Sequence, residues 1–226
     1  MFKNKIFLVL AIVAVAFVVY TFMGNETQTN TPEKQSEYAA QVEKERRKKD
    51  DFFRKSADSP LENKANFAGL DYYKPQIDYR TNAEVLPYEG KDVEAVVPMT
   101  DSSSETYQKY GYARFSVHDA VYKLLIYEHD DVLSILFRDQ TAPKETYGGG
   151  RYVDIPLKDV VNKRFTLDFN AAYNPYCAYN YRYACPLPPK ENLLPTRIEA
   201  GEKSFKRPEW SSCQAACAVH RRVIRW

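Results

Sequence analysis

The chain has 226 residues, 44% hydrophobic and 27% charged, with a formal net charge of only +2. That balance speaks against nucleic-acid binding, which draws on counterion release at a basic face that nothing neutralises. It agrees instead with one tethered globular domain.

Ile6 to Met23 is an almost unbroken apolar run. At about 1.5 Å per helical residue it nearly spans a hydrocarbon layer of roughly 30 Å, so its expected partner is a lipid bilayer. Lys3 and Lys5 precede it, and Gly24 to Thr31 holds no lysine or arginine. The positive-inside bias therefore predicts a cytoplasmic amino terminus and a domain on the periplasmic or extracellular side. A cleaved signal peptide, with the domain secreted, is the competing reading. It calls for an apolar region of about 7–15 residues and a small-x-small cleavage site. The exit Val19-Tyr-Thr-Phe-Met-Gly24 has no Ala-x-Ala pattern, and no cysteine follows as a lipid attachment point, which favours a single-pass anchor over residues 1–24. Both readings export the domain.

Residues 25–31 are polar and read as a flexible spacer. A helix is predicted over 32–58, with Thr31 as N-cap, Pro32 at the first helical position and Glu33 at the positive end of the dipole. Glu43 with Arg47 and Glu45 with Lys49 are spaced as i,i+4 pairs. The basic cluster Arg46-Arg47-Lys48-Lys49 is flanked by Glu43, Glu45, Asp50 and Asp51, so it reads as a solvated helix face. Tyr38, Val42, Phe52 and Phe53 give only a sparse apolar stripe, which predicts a stalk whose last turn docks on the domain.

Ser59-Pro60 ends the helix, and residues 59–203 carry short β-branched and aromatic segments between turn residues. Strands are predicted at Tyr79–Leu86, Val93–Val97, Gly111–Val117, Ala120–Tyr127, Val132–Phe137, Tyr152–Pro156 and Arg164–Asp168. The clearest pair flanks Glu128-His-Asp-Asp131, a hairpin signature. Many closely spaced strands without helical periods predict a mainly β fold, an antiparallel barrel or sandwich behind the anchor and stalk helix.

Four pieces stand out: Asp51-Phe-Phe, Phe137-Arg-Asp-Gln-Thr141, Thr146-Tyr-Gly-Gly-Gly-Arg-Tyr152, and Leu167-Asp-Phe-Asn-Ala-Ala-Tyr-Asn-Pro-Tyr-Cys-Ala-Tyr179 through Cys185-Pro-Leu-Pro-Pro to Ala200-Gly-Glu-Lys203. On these motifs the chain resembles the bacterial domain-of-unknown-function family sixteen-eighty-four from roughly Phe52 to Lys203. The resemblance implies fold and lineage and carries no reaction.

Gly148-Gly149-Gly150 lacks the Gly-Lys-Ser/Thr and following helix of a phosphate loop, so it reads as a glycine-rich hairpin or bulge. Cys177 and Cys185 are within reach if the loop between them doubles back. On an exported domain that favours a disulfide worth on the order of 2–3 kcal/mol, with buried thiols as the alternative. His118, His129 and His220 sit in no recognisable motif; His118 falls in a predicted turn and His129 in the hairpin tip. Asp139, Asp154 and Asp168 lie near strand ends, where a pair of carboxylates can do acid–base work, although capping suits aspartate equally. Arg151 and Asn170 are ligand candidates, with Asp168, Asn174, Tyr176, Tyr179, Glu191 and Asn192 beside them in the signature. Arg151 pairing with Asp139 or Asp168 to pin a barrel fits as well. The 18 tyrosines, several around the signature, can line a glycan or peptide groove or seal a barrel end.

Residues 204–226 read as an atypical, poorly ordered tail, in which Cys213, Cys217 and His220 make only a weak zinc pattern. The expectation is thus a membrane-tethered ligand- or partner-binding module of the cell envelope, not an enzyme, with no cofactor, metal or nucleic acid. An exported hydrolase using the strand-end carboxylates and a purely structural envelope domain are the alternatives.

Overall fold

The computed structural model describes residues 31–206, and the contacts divide the chain into one unit ending at Lys34 and another running from Gln35. The run Ile6 to Met23, the spacer residues 25–30, and the group Cys213, Cys217 and His220 lie outside the described residues. Among the described residues, no helix is long and apolar enough to cross a membrane.

Helix α1 spans Pro32–Lys55. The Thr31 hydroxyl accepts from the Lys34 amide at 3.3 Å, as an N-cap should. Arg54 and Lys55 complement the negative end of the dipole, and Ser59 donates its hydroxyl to the Phe53 carbonyl at 2.6 Å beside Pro60. The stalk expectation needs correcting, because α1 meets the domain along its length from Gln35 onward. Gln35 bridges the Pro75 carbonyl and the Ile77 amide at 2.8 Å each. Tyr38 donates to Asp168 at 2.6 Å, and Lys49 to Glu202 at 2.7 Å. Phe53 is buried between Phe67 and Tyr179. Most of these contacts are polar, and apolar periodicity is blind to them. The charge pairs also differ from expectation: Glu43 takes Arg46 and Glu45 takes Lys48 at i,i+3, which leaves Lys49 for the domain.

Seven strands form one antiparallel sheet: β1 (Arg80–Pro87), β2 (Glu94–Pro98), β3 (Ser104–Val117), β4 (Ala120–His129), β5 (Val132–Phe137), β6 (Arg151–Pro156) and β7 (Arg164–Asp168). The order is β6-β5-β4-β3-β1-β7, with β2 on the first half of β3. Every predicted strand is present. β3 starts earlier than predicted because Ser104-Glu-Thr-Tyr-Gln-Lys109 is too polar to read as a strand. β3 bends at a bulge between Lys109 and Gly111, where a β-carbon at Gly111 would lie 2.5 Å from the Leu86 carbonyl oxygen. The β3–β4 turn, His118-Asp119, takes left-handed φ at both residues, +50° and +59°, which matches the twist of the strands it joins.

The sheet curls into a nearly closed barrel, so the sandwich alternative falls. Closure comes from the segment after β7, where Tyr152 of β6 and Tyr173 exchange backbone hydrogen bonds of 2.9 and 3.0 Å. Inside lie Phe115, Leu124, Ile126, Leu133, Ile135, Phe137, Phe165, Leu167 and Phe169. A second apolar layer of Val97, Leu125, Tyr127, Leu136 and Tyr152 lies on the other face of these strands. β4 and β5 pair only near their hairpin, from Tyr127 opposite Ser134 to His129 opposite Val132. Beyond it Asn192 fills the gap, taking the Leu125 amide at 2.6 Å and donating to the Leu125 and Leu136 carbonyls at 2.9 and 2.7 Å. A side-chain amide thus replaces the missing rungs of the ladder.

Candidate functional site

After β7 the chain runs beneath α1, and two buried charges fix its course. Arg151, only 1% exposed, donates to Asp139 at 3.1 Å, to the carbonyls of Ile198 at 3.0 Å and Glu202 at 3.3 Å, and to the Ala200 carbonyl. Asp139 also accepts from the Ile198 amide at 2.7 Å and the Thr141 hydroxyl at 2.9 Å. Burial draws the Arg151 pKa down while the Asp139 charge opposes it. Gly201 then turns with φ +76°, where a β-carbon would meet the Ala172 and Phe169 carbonyl oxygens at 2.6 and 2.7 Å. That turn delivers Glu202, fully buried, to the seam. Its carboxylate accepts from Lys49 at 2.7 Å, from the Asn174 side chain at 3.0 Å and from the Tyr179 hydroxyl. Burial, and then the Glu202 charge, hold the Tyr179 phenol far above its ordinary pKa, so it stays a neutral donor.

Two cavities flank Lys49 along this seam. The larger, about 620 Å³, is walled by Phe52, Phe53, Tyr152, Tyr173, Tyr176 and Tyr183, with Lys49, Asn174 and Cys185 also in the lining. The smaller, about 270 Å³, is lined by Tyr38, Glu45, Arg46, Lys49, Tyr72, Arg80, Asp168 and Asn170. Lys49 lies over the Tyr173 ring at 5.0 Å, where the two cavities meet.

Cys177 and Cys185 are neighbours, with the Cys177 amide donating to the Cys185 sulfur at 3.2 Å, yet both are thiols. The expected disulfide is therefore corrected to a dithiol. The Cys185 thiol donating to it draws the Cys177 pKa down to about 6, with the Tyr147 and Thr100 hydroxyls assisting and burial opposing. Cys185 shifts the opposite way, because it is the donor of the pair.

The sequence-predicted residues separate into distinct places. Arg151, Asn174, Tyr179 and Asn192 are buried and hold the architecture just described. Asn170 is buried as well, clasping the Gln76 amide and carbonyl at 2.9 and 2.8 Å. Asp168 and Tyr176 line the cavities. Glu191 stands apart, accepting from Tyr112 at 3.2 Å. The three strand-end carboxylates sit in separate settings: Asp139 with Arg151, Asp168 with Tyr38, and Asp154 accepting from Ser134 and Tyr173 at 2.6 Å each. His118 packs edge-on against Tyr79, and His129 is exposed beside Asp130. Gly150 closes a turn onto the Tyr147 carbonyl and leads into β6, as a glycine-rich turn rather than a phosphate loop does.

Sequence reasoning missed Arg46, Lys49, Tyr72 and Glu202. The position of Glu202 inside Ala200-Gly-Glu-Lys203 was a usable signal, since a carboxylate after a turn glycine invites a structural role. The helix residues gave none, because their charges look balanced on a solvated face.

These features define a small, nearly closed antiparallel barrel with a helix strapped across the segment that closes it. The chain belongs to the family described as protein of unknown function (DUF1684), whose profile matches residues 65–203. Among solved structures it is similar to an uncharacterized protein of Haloarcula marismortui, determined by NMR in solution. The likeness has 33% identity and a TM-score of 0.58, and covers 76% of this chain and 97% of the other. No curated protein matches the chain.

Proposed function

We propose that the domain is a non-enzymatic ligand-binding module of the cell envelope, tethered through Ile6 to Met23, whose aromatic cavity holds a small glycan. One observation carries this reading. Six rings wall a single cavity of about 620 Å³, and three of them, Phe52, Tyr176 and Tyr183, are 37%, 39% and 38% exposed. Large rings left open to water around a cavity offer flat apolar faces to a sugar, and the phenol tips offer hydrogen bonds. Of the polar groups beneath, Glu202 already accepts from both Asn174 and Lys49, which suits holding better than proton transfer. The separation of Asp139, Asp154 and Asp168 into three networks weighs against the hydrolase alternative.

Thermal unfolding of the full chain against a panel of envelope oligosaccharides tests the reading. The expected result is a concentration-dependent rise in Tm with at least one glycan, lost in Tyr176→Ala and Tyr183→Ala. A panel that moves neither the native chain nor the variants would favour a structural domain. The tether is tested separately by a periplasmic-active reporter fused after Lys203, and activity confined to the cell interior would overturn it.

A further inference from the structure

Among the described residues, four buried side-chain atoms lack a hydrogen-bond partner: Arg46 Nε and Nη2, Tyr72 Oη and Asn174 Oδ1. All four belong to residues lining the two cavities under α1, and three of the four atoms belong to the smaller one. Leaving polar atoms unmatched in protein is costly, so their convergence marks a place shaped for a polar guest. Arg46 is 7% exposed. Its Nη1 is taken by Glu43 at 3.0 Å and the Tyr73 carbonyl at 2.9 Å. The remaining atoms, Nε and Nη2, form one edge of the guanidinium, whose parallel N–H bonds match the two oxygens of a carboxylate. The Arg46 guanidinium lies 4.4 Å over the Tyr72 ring, which keeps the Tyr72 hydroxyl close to it.

We propose that the smaller cavity binds the carboxylate of a small organic acid, its two oxygens on Arg46 Nε and Nη2 and the Tyr72 hydroxyl donating alongside. The inference concerns this cavity alone and stands apart from the aromatic-cavity reading. At about 270 Å³ the space admits a few heavy atoms, below the usual size of a site for larger ligands. The surrounding charges select the guest. Arg80 and Lys49 face it with positive charge, but Lys49 is paired with Glu202, and Glu45 and Asp168 also line the wall while Glu43 covers Nη1. One negative charge on the guest is matched by Arg46, whereas a dianion such as phosphate meets the two carboxylates.

The test is a titration of the full chain in detergent micelles, following the Arg46 Nε–H resonance by nitrogen-15 NMR. The peak is assigned by its loss in Arg46→Lys. Propionate is the probe, with propionamide as its neutral match in shape and inorganic phosphate as the dianion. The expected result is a saturable shift with propionate in the millimolar range and none with propionamide or phosphate. Tyr72→Phe keeps the fold and the ring but removes one donor to a charged oxygen, and so weakens propionate by about tenfold. Tyr176→Ala, in the other cavity, leaves the shift intact, which separates this inference from the glycan reading. No saturable shift with propionate, an equal response to propionamide, or a stronger one to phosphate would overturn the proposal, as would unchanged affinity in Tyr72→Phe.

Discussion

Replacing Asp139 with asparagine tests whether the Arg151 post holds the C-terminal segment to the barrel. The substitution keeps the shape but removes the carboxylate paired with a cation that is 1% exposed. It also leaves one acceptor oxygen where two serve the Ile198 amide, the Thr141 amide and hydroxyl, and Arg151. Breaking one side of a buried ion pair costs about 3–5 kcal/mol, because the surviving charge stays buried and uncompensated. For a domain of this size that corresponds to a fall in Tm of roughly 6–20 °C. Urea unfolding of Asp139→Asn followed by far-UV circular dichroism gives the value. The double variant Asp139→Leu with Arg151→Met should recover part of the loss by removing the stranded charge. Recovery stays partial, since Arg151 also serves the carbonyls of Ile198, Ala200 and Glu202. A loss below about 0.5 kcal/mol in Asp139→Asn, within the range of surface substitutions, would refute the argument.

Asn192→Leu keeps the size but strands one amide and two carbonyls where β4 and β5 part, so a loss of about 2–4 kcal/mol is expected by denaturant unfolding. Tyr72→Phe removes a buried hydroxyl that has no partner, so in the absence of a carboxylate guest it should raise stability by about 1 kcal/mol in the same assay. The Cys177 thiolate should titrate near pH 6 by ultraviolet absorbance in the native protein, and Cys185→Ala, which removes the donating thiol, should return that midpoint toward the ordinary thiol range. Because the Cys177 pKa is depressed on folding, its contribution to stability is full above the ordinary thiol pKa and is lost as pH falls through about 6. An unchanged midpoint in Cys185→Ala would dismiss the hydrogen bond as the cause.

The barrel was legible because its strands carry their own signals. Val132–Phe137 and Arg164–Asp168 have the predicted limits, being short apolar or alternating runs between turn residues. The start of β3 was not, because its early residues are exposed and polar, and pairing with β2 rather than burial makes them a strand. The site was half legible. The signature pointed to Asn174, Tyr176, Tyr179 and Cys185, yet five of the candidate ligand residues, Arg151, Asn170, Asn174, Tyr179 and Asn192, prove to be buried braces, because arginine, asparagine and tyrosine suit tying buried backbone and carboxylates together as well as holding a guest. What the sequence hid was long-range pairing. Nothing near Lys49 announces a partner at Glu202, and no periodicity reports a tyrosine such as Tyr38 reaching Asp168.

The Lys49–Glu202 contact joins the first element of the domain to the last residues of its closing segment. Entry and exit of the polypeptide are thereby buckled together, so tension applied at either end loads this ion pair and the bonds of Asn174 and Tyr179 sideways, before any strand of the barrel can be peeled. Shortening the chain to Ala200 would undo the buckle and leave the helical strap to its other anchors, Gln35, Tyr38, Arg46 and Phe53.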